Sequence, residues 1–302
     1  MVSVSNISKV YGKEAVKAVD QVSFSVESGE LFGLIGPDGA GKTSIFRMLA
    51  TLLLPDGGSA VVNGYDIVKD YARIRATVGY MPGKFSLYPD LTVEENLDFF
   101  ATLFGTTVAE NEPLIHDIYV QIAPFAKRRA EKLSGGMKQK LALCCALVHQ
   151  PTVLFLDEPT TGVDPVSRKE FWEMLKRLKT RGITILVSTP YMDEAALCDR
   201  IALIQQGRIL SVDTPEHIRN AYPVPLYAVR AGNMPALLKQ LRSCGFVQDS
   251  YSFGEYVHVT FGGTEQPEGG LASWLSQQGL QEVEVMPVAA TIEDCFIRLL
   301  KQ

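Results

Sequence analysis

The sequence has no apolar stretch long enough to cross a bilayer. Its longest uninterrupted aliphatic and cysteine run is LALCCALV at 141–148, against the ~18 residues that a spanning helix needs. Any membrane role is therefore expected to be peripheral. The first residues, MVSVSNISKVYG, lack a cationic segment followed by an apolar one, so no secretory signal is expected. Basic charge is also scarce: 29 Lys and Arg stand against 34 Asp and Glu, a formal net charge of −5. A nucleic-acid partner would need a local basic patch that these totals do not show. The densest basic run, Lys127 to Arg129, lies beside Glu131 and Lys132 and reads as a solvated helix end, not a phosphate-binding stripe. The five cysteines have no metal-like spacing. Cys144 and Cys145 adjoin within an apolar stretch and Cys198, Cys244 and Cys295 are scattered, as expected of reduced, buried thiols in a cytosolic protein.

What is present is an ordinary globular composition, 46% hydrophobic and 21% charged, in a chain long enough for one large domain and a small one. VSFSV at 22–26 alternates like a half-buried strand, and ESGE then LFGLIG suggest a hairpin feeding a buried strand. Asn63 and Gly64 in SAVVNGYDI suit a second tight hairpin. From Thr92 to about Gln150 the pattern is mostly helical, opened by capping-box spacing between Thr92 and Glu95. Two further buried strands, TVLFLD from Thr152 and ITILVS from Ile183, flank a helix-length segment, which argues for a parallel sheet with crossover helices. The proline pair in YPVPLY, 222–227, marks a boundary. Beyond it the expected order is strand 226–230, helix 235–243, strands near 246–251 and 255–261, a Gly-rich loop at 262–270, helix 271–278, strand 282–288 and a helix from Thr291. That β-α-β-β-α-β order suggests a small ferredoxin-like sandwich.

The chemistry begins after the strand ending at Ile35. GPDGAGKTS fits the phosphate-loop pattern G-x-x-x-x-G-K-[ST] from Gly36 to Thr43, between a strand and a helix. Glycines let backbone amides converge on phosphates at a helix N-terminus. Gly36, Pro37, Asp38, Gly39, Ala40, Gly41, Lys42, Thr43 and Ser44 are thus the candidate nucleotide contacts. Lys42 would reach the β- and γ-phosphates and the Thr43 hydroxyl would hold Mg²⁺. VLFLDEP supplies a second half. Asp157 emerges at a strand's carboxyl end, where it can bind Mg²⁺ through water, and Glu158 is placed to polarise an attacking water. Alone, this carboxylate pair reads equally well as surface; a phosphate loop upstream makes it a site. Ser134, Gly135 and Gly136 open a long helix and offer a hydroxyl, close backbone approach and a positive dipole end to an anion. Leu141, Cys144, Cys145 and Val148 follow at helical spacing and read as core.

GPDGAGKTS, then LSGG, then LFLDEP, in that order, resemble the ATP-binding subunit of an ABC transporter, and the resemblance covers essentially the whole chain. It implies an α/β fold: a P-loop NTPase domain with a mixed sheet core, an antiparallel β subdomain and a helical subdomain over 1–221, then a small α+β accessory domain over 226–302. It also implies an ATPase using ATP and Mg²⁺. Tyr11 stands where the family stacks an aromatic on adenine, and Asp164 in PTTGVDP stands at the aspartate that crosses the dimer interface. Ser134, Gly135 and Gly136 would complete the site of a second ATP-binding subunit, identical or different. ATIEDCFIRLL resembles the closing segment of the drug and polysaccharide exporter branch, with Ala290 in place of a proline. That branch implies ABC-2 type permease subunits as partners, a location on the inner face of the cell membrane through those subunits, and no nucleic acid.

Two positions depart from the family pattern. Its Q-loop glutamine is Gly83 here, and its switch histidine, at the tip of ITILVSTP, is Pro190. Either Tyr191 or Ser188 substitutes, or Glu158 acts alone. Three functions remain open on the sequence: an ATPase energising an exporter; a slow-hydrolysing partner in a heterodimer; and a soluble ABC protein of translation or DNA repair. The third is disfavoured by a single phosphate loop and by the absence of a basic tail or a long coiled-coil insertion.

Overall fold

The computed structural model describes residues 1–12, 16–262 and 268–301, in two compact units, Met1–Pro215 and Glu216–Gln302. The first unit begins with β1 (Val2–Tyr11), β2 (Val16–Val26), β3 (Leu31–Ile35), α1 (Lys42–Leu49), β4 (Gly57–Val62), β5 (Tyr65–Asp66), α2 (Tyr71–Thr77) and β6 (Val78–Met81). It continues with α3 (Val93–Leu103), α4 (Val108–Tyr119), α5 (Gly135–Leu147), β7 (Val153–Asp157), α6 (Pro165–Thr180), β8 (Thr184–Thr189), β9 (Arg200–Gln205) and β10 (Arg208–Asp213).

A mixed sheet of order β10-β9-β3-β8-β7-β6 carries the unit. Its strands run parallel from β9 to β6, and β10 returns antiparallel at the edge. Every residue of β3, β7 and β8 is buried, the mark of strands covered on both faces. An antiparallel sheet, β2-β1-β4-β5, lies over one face, with Phe24 stacked on Phe32 at 5.4 Å between ring centroids. The expected hairpin from Val22 to Ile35 is therefore corrected. The chain turns at Glu27–Glu30 and changes sheet: β2 alternates buried and exposed residues and pairs with β1, whereas wholly buried β3 enters the parallel sheet. The other hairpin is present, Asn63 and Gly64 at φ 53° and 81° giving the left-handed pair that a tight two-residue turn demands.

Helices α3, α4 and α5 fill the region expected to be helical. Thr92 and Glu95 make the reciprocal capping bonds of α3, and Thr107 with Glu110 repeats the device at α4. Lys127–Arg129 is exposed but is not a helix end; it lies between the short 3₁₀ turns Ala123–Phe125 and Ala130–Lys132. All five cysteines are buried and free. Among the described residues no helix is long and apolar enough to cross a membrane.

The second unit begins within α7 (Pro215–Asn220) and continues with β11 (Leu226–Arg230), α8 (Met234–Ser243), β12 (Val247–Phe253), β13 (Tyr256–Phe261), α9 (Glu268–Gln277), β14 (Glu284–Val288) and α10 (Ile292–Leu299). Its break precedes the proline pair, because residues 216–222 bind the end of the chain: the Cys295 thiol donates to Ile218 O at 3.4 Å and the Arg298 guanidinium lies 5.5 Å from the Tyr222 ring centroid. The antiparallel strand order β12-β13-β11-β14 is that of a ferredoxin-like sandwich. Leu237, Leu241, Leu271 and Leu275 pack on Val229, Val257 and Val259. Of the expected Gly-rich loop, 263–267 lie outside the described residues, and 268–270 are the first turn of α9.

One buried carboxylate joins sheet and final helix in this unit. Asp294 accepts from Thr291 N at 2.7 Å and Thr291 Oγ1 at 2.6 Å, capping α10, and from Tyr251 Oη at 2.7 Å and His258 Nδ1 at 2.6 Å. Burial alone would raise its pKa, but the bonds from His258, Thr291 and Tyr251 outweigh burial and hold it below the usual carboxylate value. A depressed folded pKa contributes stability that is present above the unfolded value of about 3.9 and is lost as pH falls through the folded one. Asp294→Ala should cost this unit roughly 1–3 kcal/mol for each donor it strands, the buried His258 ring and the Tyr251 hydroxyl. Hydrogen exchange at neutral pH should show faster exchange in β12 and β13, and the parent's protection there should fall below about pH 4 while the variant's changes little.

Candidate functional site

Strand β3 delivers its last residue to a loop that the sheet holds tightly. Gly36 N donates to Thr189 O at 3.3 Å, and a Cβ at Gly36 would lie 2.2 Å from Ile204 O. At Gly41, the N-cap of α1, φ is 104° and a Cβ would lie 2.3 Å from Ala18 O. Only glycine fits either place. No side chain caps α1, so its first amides point at the loop with their dipole uncompensated, the arrangement that receives phosphate. Buried Lys42 donates to Gly36 O at 2.7 Å and Pro37 O at 2.9 Å, which holds its ammonium inside the loop. Tyr11 is partly exposed, its hydroxyl 3.2 Å from Ser44 Oγ and its ring 5.9 Å from Lys9 Nζ.

The other half of the site comes from β7 and β8, side by side and parallel. Asp157 ends β7, buried, and accepts from Ser188 Oγ at 2.6 Å. Glu158 N donates to both Ser188 O and Ser188 Oγ at 3.0 Å. Its φ of 50° is left-handed, uncommon for a residue with a side chain. That turn swings Glu158 toward the loop, Oε1 3.0 Å from Lys42 Nζ. Tyr80, opposite Phe155 on β6, is pushed up to about 12, by burial first and by the negative charge of Asp157 second. It remains a neutral phenol beside the site.

The residues read from the sequence thus form two groups. Gly36–Ser44, Tyr11, Asp157 and Glu158 gather at the carboxyl ends of β3, β8 and β7. Ser134, Gly135 and Gly136 sit instead against the start of α6. Ser134 caps α5, accepting from Met137 N at 3.4 Å; a Cβ at Gly135 would lie 3.6 Å from Gly162 O and one at Gly136 2.7 Å from Ser167 Oγ. Asp164 caps α6 through Val166 N at 3.1 Å and Ser167 N at 3.0 Å; the bonds from Ser167, chief among these, hold its carboxyl below the usual value. Among the described residues no hydrogen bond or ion pair joins this second group to the phosphate loop.

The two departures have structural correlates. Ser188 is fully buried and its hydroxyl already serves the Asp157 carboxylate and the Glu158 backbone N–H, so it anchors these two residues and does not project as a replacement for the histidine. Tyr191 lies under the Arg168 guanidinium, 4.0 Å from its ring centroid. At Gly83 a Cβ would lie 3.0 Å from Asp157 O; the bare backbone passes close to β7, and any side chain there needs the segment to retreat by tenths of an ångström. Hydroxyl and carboxylate oxygens from Thr43, exposed on the first turn of α1, and Asp157 are hard donors that fit Mg²⁺, which takes one or two protein ligands beside phosphate and water. The reading of the sequence missed the anchoring role of Ser188. Its signal was a Ser-Thr pair at the tip of an otherwise aliphatic strand.

This geometry has close counterparts. The ABC transporter family profile matches residues 19–161. A probable multidrug ABC transporter ATP-binding protein of Escherichia coli is 42% identical over 221 residues, 72% of this chain, which spans 38% of that relative's length. The Nod factor export ATP-binding protein I of a Rhizobium strain is 35% identical over 302 residues, 99% of this chain and 96% of its own. Among solved structures, an ATP-binding subunit of an ABC transporter superposes with a TM-score of 0.66 at 29% identity, over 74% of this chain and 93% of that one. A phosphate loop facing an Asp-Glu strand end, on this mixed sheet, in a chain alignable from end to end with an export ATP-binding protein, belongs to the ABC transporter ATP-binding family, in the branch whose members are named for drug resistance and Nod factor export.

Proposed function

We propose that the chain binds ATP with Mg²⁺ at the loop Gly36–Ser44 and hydrolyses it to energise a membrane exporter built on permease subunits of the ABC-2 type. The observation that carries this reading is the 3.0 Å pair between Lys42 and Glu158, which brings the phosphate-binding cation and the candidate base into one site. Tyr11 stacks on the adenine. Amides of the loop and of α1 hold the phosphates, with Lys42 on the β- and γ-groups. Thr43 and Asp157 would hold Mg²⁺, whose charge offsets that of the phosphate oxygens when it is bound. Glu158 polarises the attacking water, held by Ser188 through its own backbone amide.

Ser134, Gly135, Gly136 and Asp164, grouped apart from the loop, complete the site of a second ATP-binding subunit, identical or different. With glycine at 83 and proline at 190, the site lacks two polar groups expected near the γ-phosphate. This favours slow turnover in isolation and makes the slow-partner reading the one alternative with a structural basis. The permease is received by an apolar cavity of about 630 Å³ lined by Tyr80, Pro82, Leu87, Phe100, Leu103 and Phe104 among others. Leu103 is 64% exposed on its rim, and an exposed apolar recess of this kind marks an interaction surface. Pro82 and Leu87 flank Gly83, so a permease segment seated there touches the chain next to Asp157. The unit after Pro215 is an accessory domain.

Lys42→Ala should weaken ATP binding about 10- to 100-fold, the loss of charge-assisted bonds worth roughly 1.5–3 kcal/mol; unchanged affinity in a nucleotide titration would refute the site. Glu158→Gln should lower turnover by roughly 10²–10⁴ while ATP still binds. Pro190→His should raise turnover if the missing histidine is what slows the site. Gly83→Gln alone should not, because its Cβ meets Asp157 O. For the permease, Leu103→Glu should leave ATP turnover of the isolated chain unaltered and release the protein from washed membranes of cells expressing its permease. Retention at the parent level would remove the cavity from the interface.

A further inference from the structure

Glu194 is buried within the 3₁₀ segment Met192–Leu197, and it reaches three pieces of chain that border the site. Thr160 Oγ1 donates to Glu194 Oε1 at 2.8 Å and Oε2 at 3.1 Å. Thr189 Oγ1 donates to Glu194 Oε2 at 2.5 Å. Arg168 Nε lies 3.6 Å from Glu194 Oε1. Both threonines are themselves buried.

Each partner sits beside a residue of the site. Thr160 follows Glu158 by two residues, in the turn closed by Thr161 N donating to Glu158 O at 3.2 Å. Thr189 ends β8 next to Ser188, which holds Asp157 and Glu158 N, and its hydroxyl also accepts from Tyr191 N at 3.1 Å across Pro190. Arg168 is in the first turns of α6, where its N–H donates to the carbonyl of the cap Asp164 at 2.9 Å. A buried carboxylate costs several kcal/mol of desolvation unless it is fully bonded. Here the bonds fix the turn that follows Glu158 and the strand tip that carries no histidine.

We infer that Glu194 is a positioning residue for ATP hydrolysis: through Thr160, Thr189 and Arg168 it sets the place of Glu158 relative to the phosphate loop. It touches none of the reacting atoms. The inference rests on the hydrolytic reading above. A misplacement of about 1 Å at a reacting group can cost on the order of 100-fold in rate, whereas among the described residues Glu194 has no hydrogen bond or ion pair to the phosphate loop or Tyr11, and the loop meets Thr189 only through the main-chain bond from Gly36 N, which a change of side chain leaves in place. The effect therefore belongs in kcat and not in KM.

The test uses the full chain with MgATP, reading kcat, KM and the thermal midpoint. Glu194→Gln keeps the shape but leaves at most one oxygen to accept from two hydroxyls, and should lower kcat about 10- to 100-fold with KM within about twofold. Thr189→Val should fall in the same way, and Thr189→Ser, which restores the hydroxyl, should recover most of the rate. If Glu194→Gln fails to fold, the Thr189 pair decides alone. A Glu158-dependent parent rate that ignores both the Glu194 and Thr189 changes overturns the inference, as does a fall in kcat matched by a rise in KM or left unrescued by serine. A parent rate insensitive to Glu158→Gln removes the hydrolytic reading instead, and the inference with it.

Discussion

Strands β3, β8 and β7 leave polar side chains almost nowhere to go. Both faces of each are covered, along every residue, and a polar group in such a place is tolerated only with a bonding partner. The carboxyl ends are where the chain escapes this condition. There the loop after Ile35, the pair Asp157–Glu158 and the Ser188–Thr189 tip appear within one register of each other, because β3 pairs with β8 and β8 with β7. The location of the site follows from the burial of these strands; its chemistry follows from which residues stand at their ends.

The same rule governs three buried carboxylates. Asp157 is held by Ser188, Glu194 by Thr160 and Thr189, and Asp294 by Thr291 and Tyr251. Hydroxyls supply these bonds more than cations do. A hydroxyl gives one directional proton from a short side chain, so it fixes an oxygen without a second buried charge. Arg168 and His258 join Glu194 and Asp294 as additional partners. In both units a carboxylate therefore works as a joint between separate stretches of chain.

Much of this was legible in the residue order. The phosphate loop could be read because its spacing is dictated by backbone geometry, and VLFLDEP because four apolar residues before two acids describe a buried strand and its end. The β-α-β-β-α-β order of the last unit followed from alternating periodicities. The hairpin at 22–35 was misread because a short turn between two strands looks the same whether the strands pair or part; only the fully apolar face of Leu31–Ile35 distinguishes them. Glu194 was illegible. In YMDEAALCD it has the look of a surface acid, and its partners lie 5 to 34 residues away in the chain. Ser188 and Thr189 could have been flagged as polar residues ending an aliphatic strand, although their partners could not have been named.

The left-handed backbone at Glu158 sets stability against chemistry at a single position. A residue held at φ 50° with a side chain carries strain on the order of 1–3 kcal/mol, which glycine at the same place would relieve. The fold on its own terms would thus be better served by the residue that has nothing to offer a water molecule. Selection for thermal robustness alone would act against the acid at this position, and a screen that ranks variants by melting temperature would favour the substitution that silences the site.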